Sequence, residues 1–339
     1  MTVPLPPRWV RRPLSFLVVL GLVFAVTLLP LLVLGAVLAS SLLPGRWRVL
    51  RMLAFALVYL LLEAVGLALA LALWIASGFG WRLRSPLFQR AHYAVLRGLL
   101  AELLATATWV FHLQLDTDGV SWSPLDDGVL GSTNAMVVLS RHAGPGDSLL
   151  LVRTLMDRAH LRRPRIVLKD VLQWDPLLDV YLNRVPSAFL GSAGEMTSRV
   201  ADLATGLGEE DALLIFPEGG NFSESRRLRA IDRLRGKGLL EQARRAEAMR
   251  HVLAPRPGGV AAALEAAPHA DVVFVAHTGL EHLSTVVDLW DGLPMDQTVR
   301  LRWWFVPADE VPRERRAQEE WLYEKWAEID AWIASHAAA

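Results

Sequence analysis

The 339-residue sequence contains no cysteine. Within this chain that excludes a disulfide, a thiolate nucleophile and a zinc–thiolate centre. Lysine is nearly absent: only Lys169, Lys237 and Lys325 stand among 35 basic residues, and the rest are arginine. Acidic residues also number 35, so the net charge is zero and gives no general attraction to nucleic acid. No Gly-x-Ser-x-Gly elbow and no His-Glu-x-x-His pair occurs, which argues against serine-hydrolase and zinc-hydrolase chemistry. No internal repeat or long low-complexity tract is present. Charge is missing altogether from one long stretch, Leu14 to Leu43.

That stretch is long enough to cross a bilayer, which takes roughly 20 apolar residues. It exceeds the ~7–15-residue core of a signal peptide. Pro30 in its middle predicts a kink or a break. A second apolar run, Val49 to Ile75, carries Glu63, an acid expected to face a partner helix or to be protonated at such depth. The two runs read as a transmembrane helical hairpin within residues 1–78, with a hairpin dipping into one leaflet as the alternative. Arg8, Arg11, Arg12, Arg82, Arg84 and Arg90 lie outside the hairpin, against Arg46, Arg48 and Arg51 near its link. The larger set outside favours a cytoplasmic catalytic domain, at the inner membrane in a bacterium. Leu96, Leu99, Leu100, Leu103 and Leu104 fall at helical spacing with Arg90 and Arg97 on the rim. Residues 79–109 are therefore expected to form an interfacial amphipathic helix, or else a core helix.

From Val110 onward strand and helix patterns alternate. Val110–Leu115 reads as a strand and residues 116–133 as a polar loop. Strand Asn134–Leu139 and helix Ser148–His160 follow, then strand Arg165–Leu168, helix Val171–Asn183, strand Ser187–Leu190, helix Glu195–Leu207 and strand Ala212–Phe216. A charged helical stretch, Ser225–Arg250, precedes helix Val260–Ala267 and strands Asp271–Ala276 and Thr298–Val306. This alternation predicts an α/β layered domain with a mixed sheet over residues 110–310. Residues 311–339 close the chain as an amphipathic helix. Its Trp321, Trp326 and Trp332 are expected to lend some hold on lipid.

Chemistry concentrates in the turns that follow strands, where α/β sites sit. In Ser140-Arg141-His142-Ala143-Gly144-Pro145-Gly146-Asp147 the glycines and proline allow a tight turn. Of nine histidines only His142 has an aspartate five positions on. Asp147 can hold one imidazole nitrogen of His142 and leave the other to take a proton from a hydroxyl. The plainer reading makes Asp147 a cap on the next helix. A second turn, Phe216-Pro217-Glu218-Gly219-Gly220-Asn221, leaves an acid at a strand tip. A third, Pro255-Arg256-Pro257-Gly258-Gly259, places an arginine at a helix start suited to an anion.

This ordered set resembles the glycerophospholipid acyltransferase family, whose 1-acylglycerol-3-phosphate acyltransferases carry His-x-x-x-x-Asp and Phe-Pro-Glu-Gly motifs in this order. The resemblance covers roughly residues 90–310. From Phe216 through Gly238-Leu239 to Leu253-Ala254-Pro255-Arg256 it looks most like the long-insert branch of lysophosphatidate and lysocardiolipin acyltransferases. The resemblance implies His142 as general base, Asp147 as its orienting partner, Phe216, Pro217, Glu218 and Gly219 at the acceptor's glycerol, and Arg256 on its phosphate. It departs in three places. Arg141 stands where the family usually has Asn, Gly220-Asn221 replaces Thr-Arg, and Gly191-Ser192 stands where an arginine is usual. Arg226 and Arg227, then Lys237, are the further candidates for the missing charge. The acyl donor would be acyl-CoA or acyl carrier protein, with no cofactor and no metal. The acceptor the resemblance favours is 1-acylglycerol-3-phosphate. No protein nucleophile is required, because a thioester is already activated. Backbone N–H groups around Gly144–Asp147 are expected to face the oxyanion. Two other readings use the same residues: CoA-independent acyl exchange between phospholipids, and a non-catalytic lipid-binding membrane protein.

Overall fold

The computed structural model describes residues 5–116, 132–157, 162–190, 196–280, 290, 292–293 and 295–336. The chain forms two compact units. The first comprises Met1–Leu113, Leu168–Gly191 and Trp290–Asp296, and the second Gln114–Val167, Ser192–Leu289 and Gln297–Ala339.

The first unit is helical. Helices Leu14–Thr27 and Leu29–Leu42 divide the uncharged stretch at Leu28, one residue before the turn that holds Pro30. Proline has no N–H to give the preceding turn and disfavours helical backbone just before it. Helices Arg48–Ala76 and Pro86–Phe111 follow. By length and composition Arg8–Thr27, Arg48–Ala76 and Pro86–Phe111 could each cross a membrane. Residues 86–111 are thus more apolar than an interfacial helix requires. Val110 and Phe111, expected in a strand, complete this helix instead, and His112 ends it in the left-handed region at φ 54°.

A polar segment packs along the middle of helix Arg48–Ala76. Asp175 accepts a hydrogen bond from Tyr59, the Tyr181 hydroxyl donates to the Gly66 carbonyl at 3.1 Å, and Arg184 donates to the Ala70 carbonyl at 2.7 Å. A Cβ at Gly66 would press on the ends of the Leu177 and Leu99 side chains, so glycine eases this approach. The sequence pattern assigns this segment one helix, Val171–Asn183. It is split into a 3₁₀ turn, Asp170–Trp174, and helix Pro176–Leu182, which Asp175 caps through the Leu178 N–H. The segment is tied to the N-terminus by a buried ion pair, Arg11–Asp179 at 2.7 Å.

The second unit is α/β. The strands in chain order are β1 (Gln114–Asp116), β2 (Met136–Ser140), β3 (Arg163–Lys169), β4 (Ser187–Leu190, in the first unit), β5 (Asp211–Ile215), β6 (Asp271–Thr278) and β7 (Thr298–Val306). Six of them form a mixed sheet in the order β1-β7-β6-β2-β5-β3. β2 runs parallel to both β5 and β6, β3 parallel to β5 and β1 parallel to β7, while β6 and β7 are antiparallel. Every residue of β2, β5 and β6 is buried, as expected of strands covered on both faces. β6 runs two residues beyond the expected end and takes His277 and Thr278 into the sheet.

On one face Phe274 meets Trp321 and Trp326 of helix Arg315–His336, at ring distances of 5.0 and 6.3 Å. Trp326 is fully buried and Trp332 nearly so, the latter against Trp304. The tryptophans of this helix therefore serve the core of the domain, which corrects the expectation that they hold lipid. The charged stretch 225–250 also differs from one continuous helix. It is two helices, Glu224–Gly236 and Leu240–Ala248, parted at Gly238 with φ +72°. Residues 117–131 of the expected polar loop, His160 at the end of its helix, and Gly191-Ser192 lie outside the described residues.

Candidate active site

The carboxyl ends of β2, β5 and β6 lie side by side, and each delivers a side chain to one place. His142 follows β2. Its Nδ1 stands 3.0 Å from Oδ2 and 3.2 Å from Oδ1 of Asp147. Helix Pro145–Asp157 starts with proline at its first position, where the missing N–H costs nothing. Asp147 is the third residue of that helix. Its Oδ2 accepts the Ala143 N–H at 2.7 Å and the Gly144 N–H at 3.0 Å, while Ser148 Oγ donates to Oδ1 at 3.1 Å. The capping role and the histidine-holding role therefore coexist in one fully buried carboxylate. Burial opposes its ionisation. Hydrogen bonds and charge from His142 and His277 outweigh that and hold it well below the usual carboxylate range.

The imidazole of His142 is 14% exposed, and its ring lies 4.4 Å from that of Phe216. With Nδ1 held by Asp147, Nε2 is the nitrogen left for a substrate proton. The Gly144 N–H, expected to face an oxyanion, is instead committed to Asp147, as is that of Ala143. The preformed turn uses these donors to fix the acid.

Phe216-Pro217-Glu218-Gly219 turns tightly after β5, with the Gly219 N–H donating to the Phe216 carbonyl at 3.0 Å and φ of +68° at Gly219. Glu218 is 1% exposed and points inward. Its two oxygens accept the His142 N–H at 3.4 Å and the Leu253 N–H at 3.2 Å. Glu218 thus ties the histidine turn to the loop before Arg256, and it does not face an acceptor from the surface. Arg256 closes the arrangement. Its N–H donates to the Pro217 carbonyl at 2.9 Å, and its guanidinium covers Gly219 so closely that a Cβ there would stand 2.8 Å from Nη1. Arg226 reaches the same turn and donates to the Asn221 carbonyl at 2.9 Å.

The remaining candidates are elsewhere. The Arg227 guanidinium is occupied by Glu224 and the Met249 carbonyl. Lys237 ends helix Glu224–Gly236, about 20 Å along it from the turn. Two further residues belong to this arrangement. Arg233 acts electrostatically on Arg256, whose pKa is lowered by burial and then by this like charge. Arg226 and Arg233 stand seven apart, on one helix face, and that periodicity was available in the sequence. The second is His277, fully buried on β6, with Nε2 3.5 Å from Asp147 Oδ2. Arg141, also buried, donates to the His277 carbonyl at 2.7 Å.

Burial pushes the Glu218 carboxyl up to about 8, against the pull of Arg141 and the two N–H donors, with Asp147 adding to the rise. A raised acid binds a proton in the folded state that the unfolded chain has released. Its contribution to stability is complete below pH 4.5 and is lost as pH rises towards about 8. Glu218→Gln should therefore flatten the fall in melting temperature between pH 5.5 and 8.5. An equal fall in variant and wild type would show that Glu218 is not its source.

Residues 128–278 match the Acyltransferase family model, a span that contains His142, Asp147, Glu218, Arg256 and His277. No curated protein matches the sequence.

Proposed function

We propose that this chain, whose residues 128–278 match the Acyltransferase family model, is a membrane-bound enzyme that moves an acyl chain from an acyl-thioester to the hydroxyl of a lysophospholipid, with 1-acylglycerol-3-phosphate as the favoured acceptor. The observation that carries this reading is the contact of Asp147 with Nδ1 of His142, which leaves Nε2 as base. His142 removes the hydroxyl proton as the acceptor oxygen attacks the thioester carbonyl. A carbon–oxygen bond forms, the tetrahedral intermediate expels the thiolate, and His142 returns the proton to the departing sulfur. No covalent enzyme intermediate is needed. Glu218 and Gly219 shape the glycerol end through the turn they build, and Arg256, with Arg226 and Arg233 beside it, meets the phosphate.

Acyl-CoA, acyl carrier protein and phospholipid donors, each tested with a panel of lysolipids, separate the alternatives. Product from acyl-CoA or acyl carrier protein supports the proposal and identifies the carrier. Product from phospholipid alone supports acyl exchange, and no product with any donor supports a lipid-binding role.

For the membrane we propose that the first unit seats in one leaflet, on the cytoplasmic side. Phe16, Leu20, Phe24 and Leu31 are exposed on helices Leu14–Thr27 and Leu29–Leu42, a surface that water does not tolerate. Helix Arg48–Ala76 is about 43 Å long, enough for a ~30 Å core. Yet Asp175, Tyr181 and Arg184 line it from Tyr59 to Ala70, and Arg48 at its start donates to the Leu293 carbonyl at 3.4 Å. A spanning path would carry those polar groups to mid-bilayer, where they are costly. Val171 and Trp174, exposed on the 3₁₀ turn, suit the headgroup boundary. The absence of cysteine allows a clean test with single cysteines at Ser41 and Trp81. In sealed vesicles both should react with an impermeant thiol reagent from the side bearing the catalytic domain. Labelling of either site only from the opposite face would establish a spanning hairpin.

A further inference from the structure

His142 is not the only imidazole on Asp147. His277 comes from β6, whose Ser140-facing register with β2 brings its end beside the His142 turn. Along β6, side chains alternate between faces. Phe274 points to the C-terminal helix, so His277 points to the opposite layer, where helix Pro145–Asp157 presents Asp147. The ring is fully buried; its Nε2 stands 3.5 Å from Asp147 Oδ2, a long contact, and among the described residues neither nitrogen has a closer polar partner. Among the described residues, Asp147 is the one ionic group in contact with it. A buried histidine whose nearest polar group, among the described residues, is a carboxylate at 3.5 Å costs stability in a sheet interior and needs a reason to be there.

We propose that His277 is a positioning residue, which acts through Asp147 to set the basicity of His142. This rests on the acyl-transfer reading for its consequence in catalysis, although its effect on His142 is measurable without turnover. The Asp147 carboxylate is held from several sides: Ala143 and Gly144 N–H groups, Ser148, His142, and His277 behind it. An N–H or a positive charge on the His277 side draws electron density from the carboxylate. Less negative potential then remains to stabilise a second proton on the His142 ring. The other charged groups around this arrangement are Arg141, whose guanidinium binds the His277 carbonyl, and Glu218, which acts on Asp147 from the β5 turn. On β7, Leu301 stands opposite His277, with Arg300 and Arg302 paired to its neighbours Thr278 and Ala276. Neither Arg141 nor Glu218 changes between the variants that follow.

Removal of the donor has a defined sign. In His277→Leu the carboxylate regains its full pull on His142, so the His142 titration should move up by about half to one pH unit. The acidic limb of the pH–rate profile should move with it, and kcat at pH 6.5 should fall several-fold to tenfold while KM for acceptor changes little. His277→Gln keeps an N–H near the position of Nε2 and should restore most of both. The test uses full-length protein in detergent with labelled histidine, the His142 resonance being assigned by its loss in His142→Ala. Imidazole NMR gives the titration, and acyl transfer gives the profile. A folded Leu variant with an unmoved His142 titration, or a Gln variant no different from Leu, overturns the proposal and leaves His277 as packing. If the titration moves while no lysolipid is acylated by any variant or by wild type, the positioning role stands and the acyl-transfer reading falls.

Discussion

His142→Ala should lower acyl transfer by about 10²–10⁴-fold, the usual worth of a positioned general base, in a protein that still folds. The residue lies in a loop and keeps partial exposure, so its ring contributes little burial beyond the contact with Phe216. Asp147→Asn should be nearly as damaging, for a reason specific to this turn. Oδ2 accepts the N–H groups of both Ala143 and Gly144, so an asparagine must place its carbonyl oxygen there. That oxygen still lies 3.0 Å from Nδ1 of His142, but the NH₂ takes the place of Oδ1 at 3.2 Å and the negative charge that supports the imidazolium is lost. Turnover measured with acyl-thioester and acceptor, beside a melting curve for each variant, decides the matter. A well-folded His142→Ala protein with more than about a tenth of wild-type activity would eliminate the dyad as the catalytic base.

Arg256→Ala is the second large effect. An arginine–phosphate contact is charge-assisted and worth on the order of 1.5–3 kcal/mol. KM for a phosphate-bearing acceptor should therefore rise roughly ten- to hundredfold. Slow hydrolysis of the acyl-thioester in the absence of acceptor should be spared, because the Arg256 side chain touches the Phe216–Gly219 turn and not the dyad. Arg256→Lys should recover only part of the affinity, since lysine lacks the planar fork. Arg226→Ala should cost less, because Arg226 is one of two exposed helix arginines that share the field around Arg256. If Arg256→Ala and Arg256→Lys use lysophosphatidate as well as wild type does, the anion is bound elsewhere.

Features that depend on neighbours along the chain are legible before any folding. His142 and Asp147 are legible because the four residues between them, two glycines and a proline among them, close a turn locally. The layered α/β pattern is legible because runs of buried apolar residues separated by helical periodicity leave few alternatives. The break at Leu28 follows from Pro30, and membrane-length helices follow from the missing charge. Contacts that join distant segments come from the folded chain alone. Glu218 reads as a loop acid at a strand tip. It becomes an inward brace only because β5 lies beside β2 and its oxygens reach the His142 and Leu253 N–H groups. His277 reads as the residue after a strand, and it meets Asp147 only because β6 pairs with the other edge of β2. Residues 168–191 read as part of the α/β domain, yet they pack with the N-terminal helices. The polar groups of Asp175, Tyr181 and Arg184 find partners on helix Arg48–Ala76 that no local pattern announces. Periodicity records which face of an element is buried, whereas the identity of the group across that face depends on sheet order and helix docking, which the whole chain settles at once.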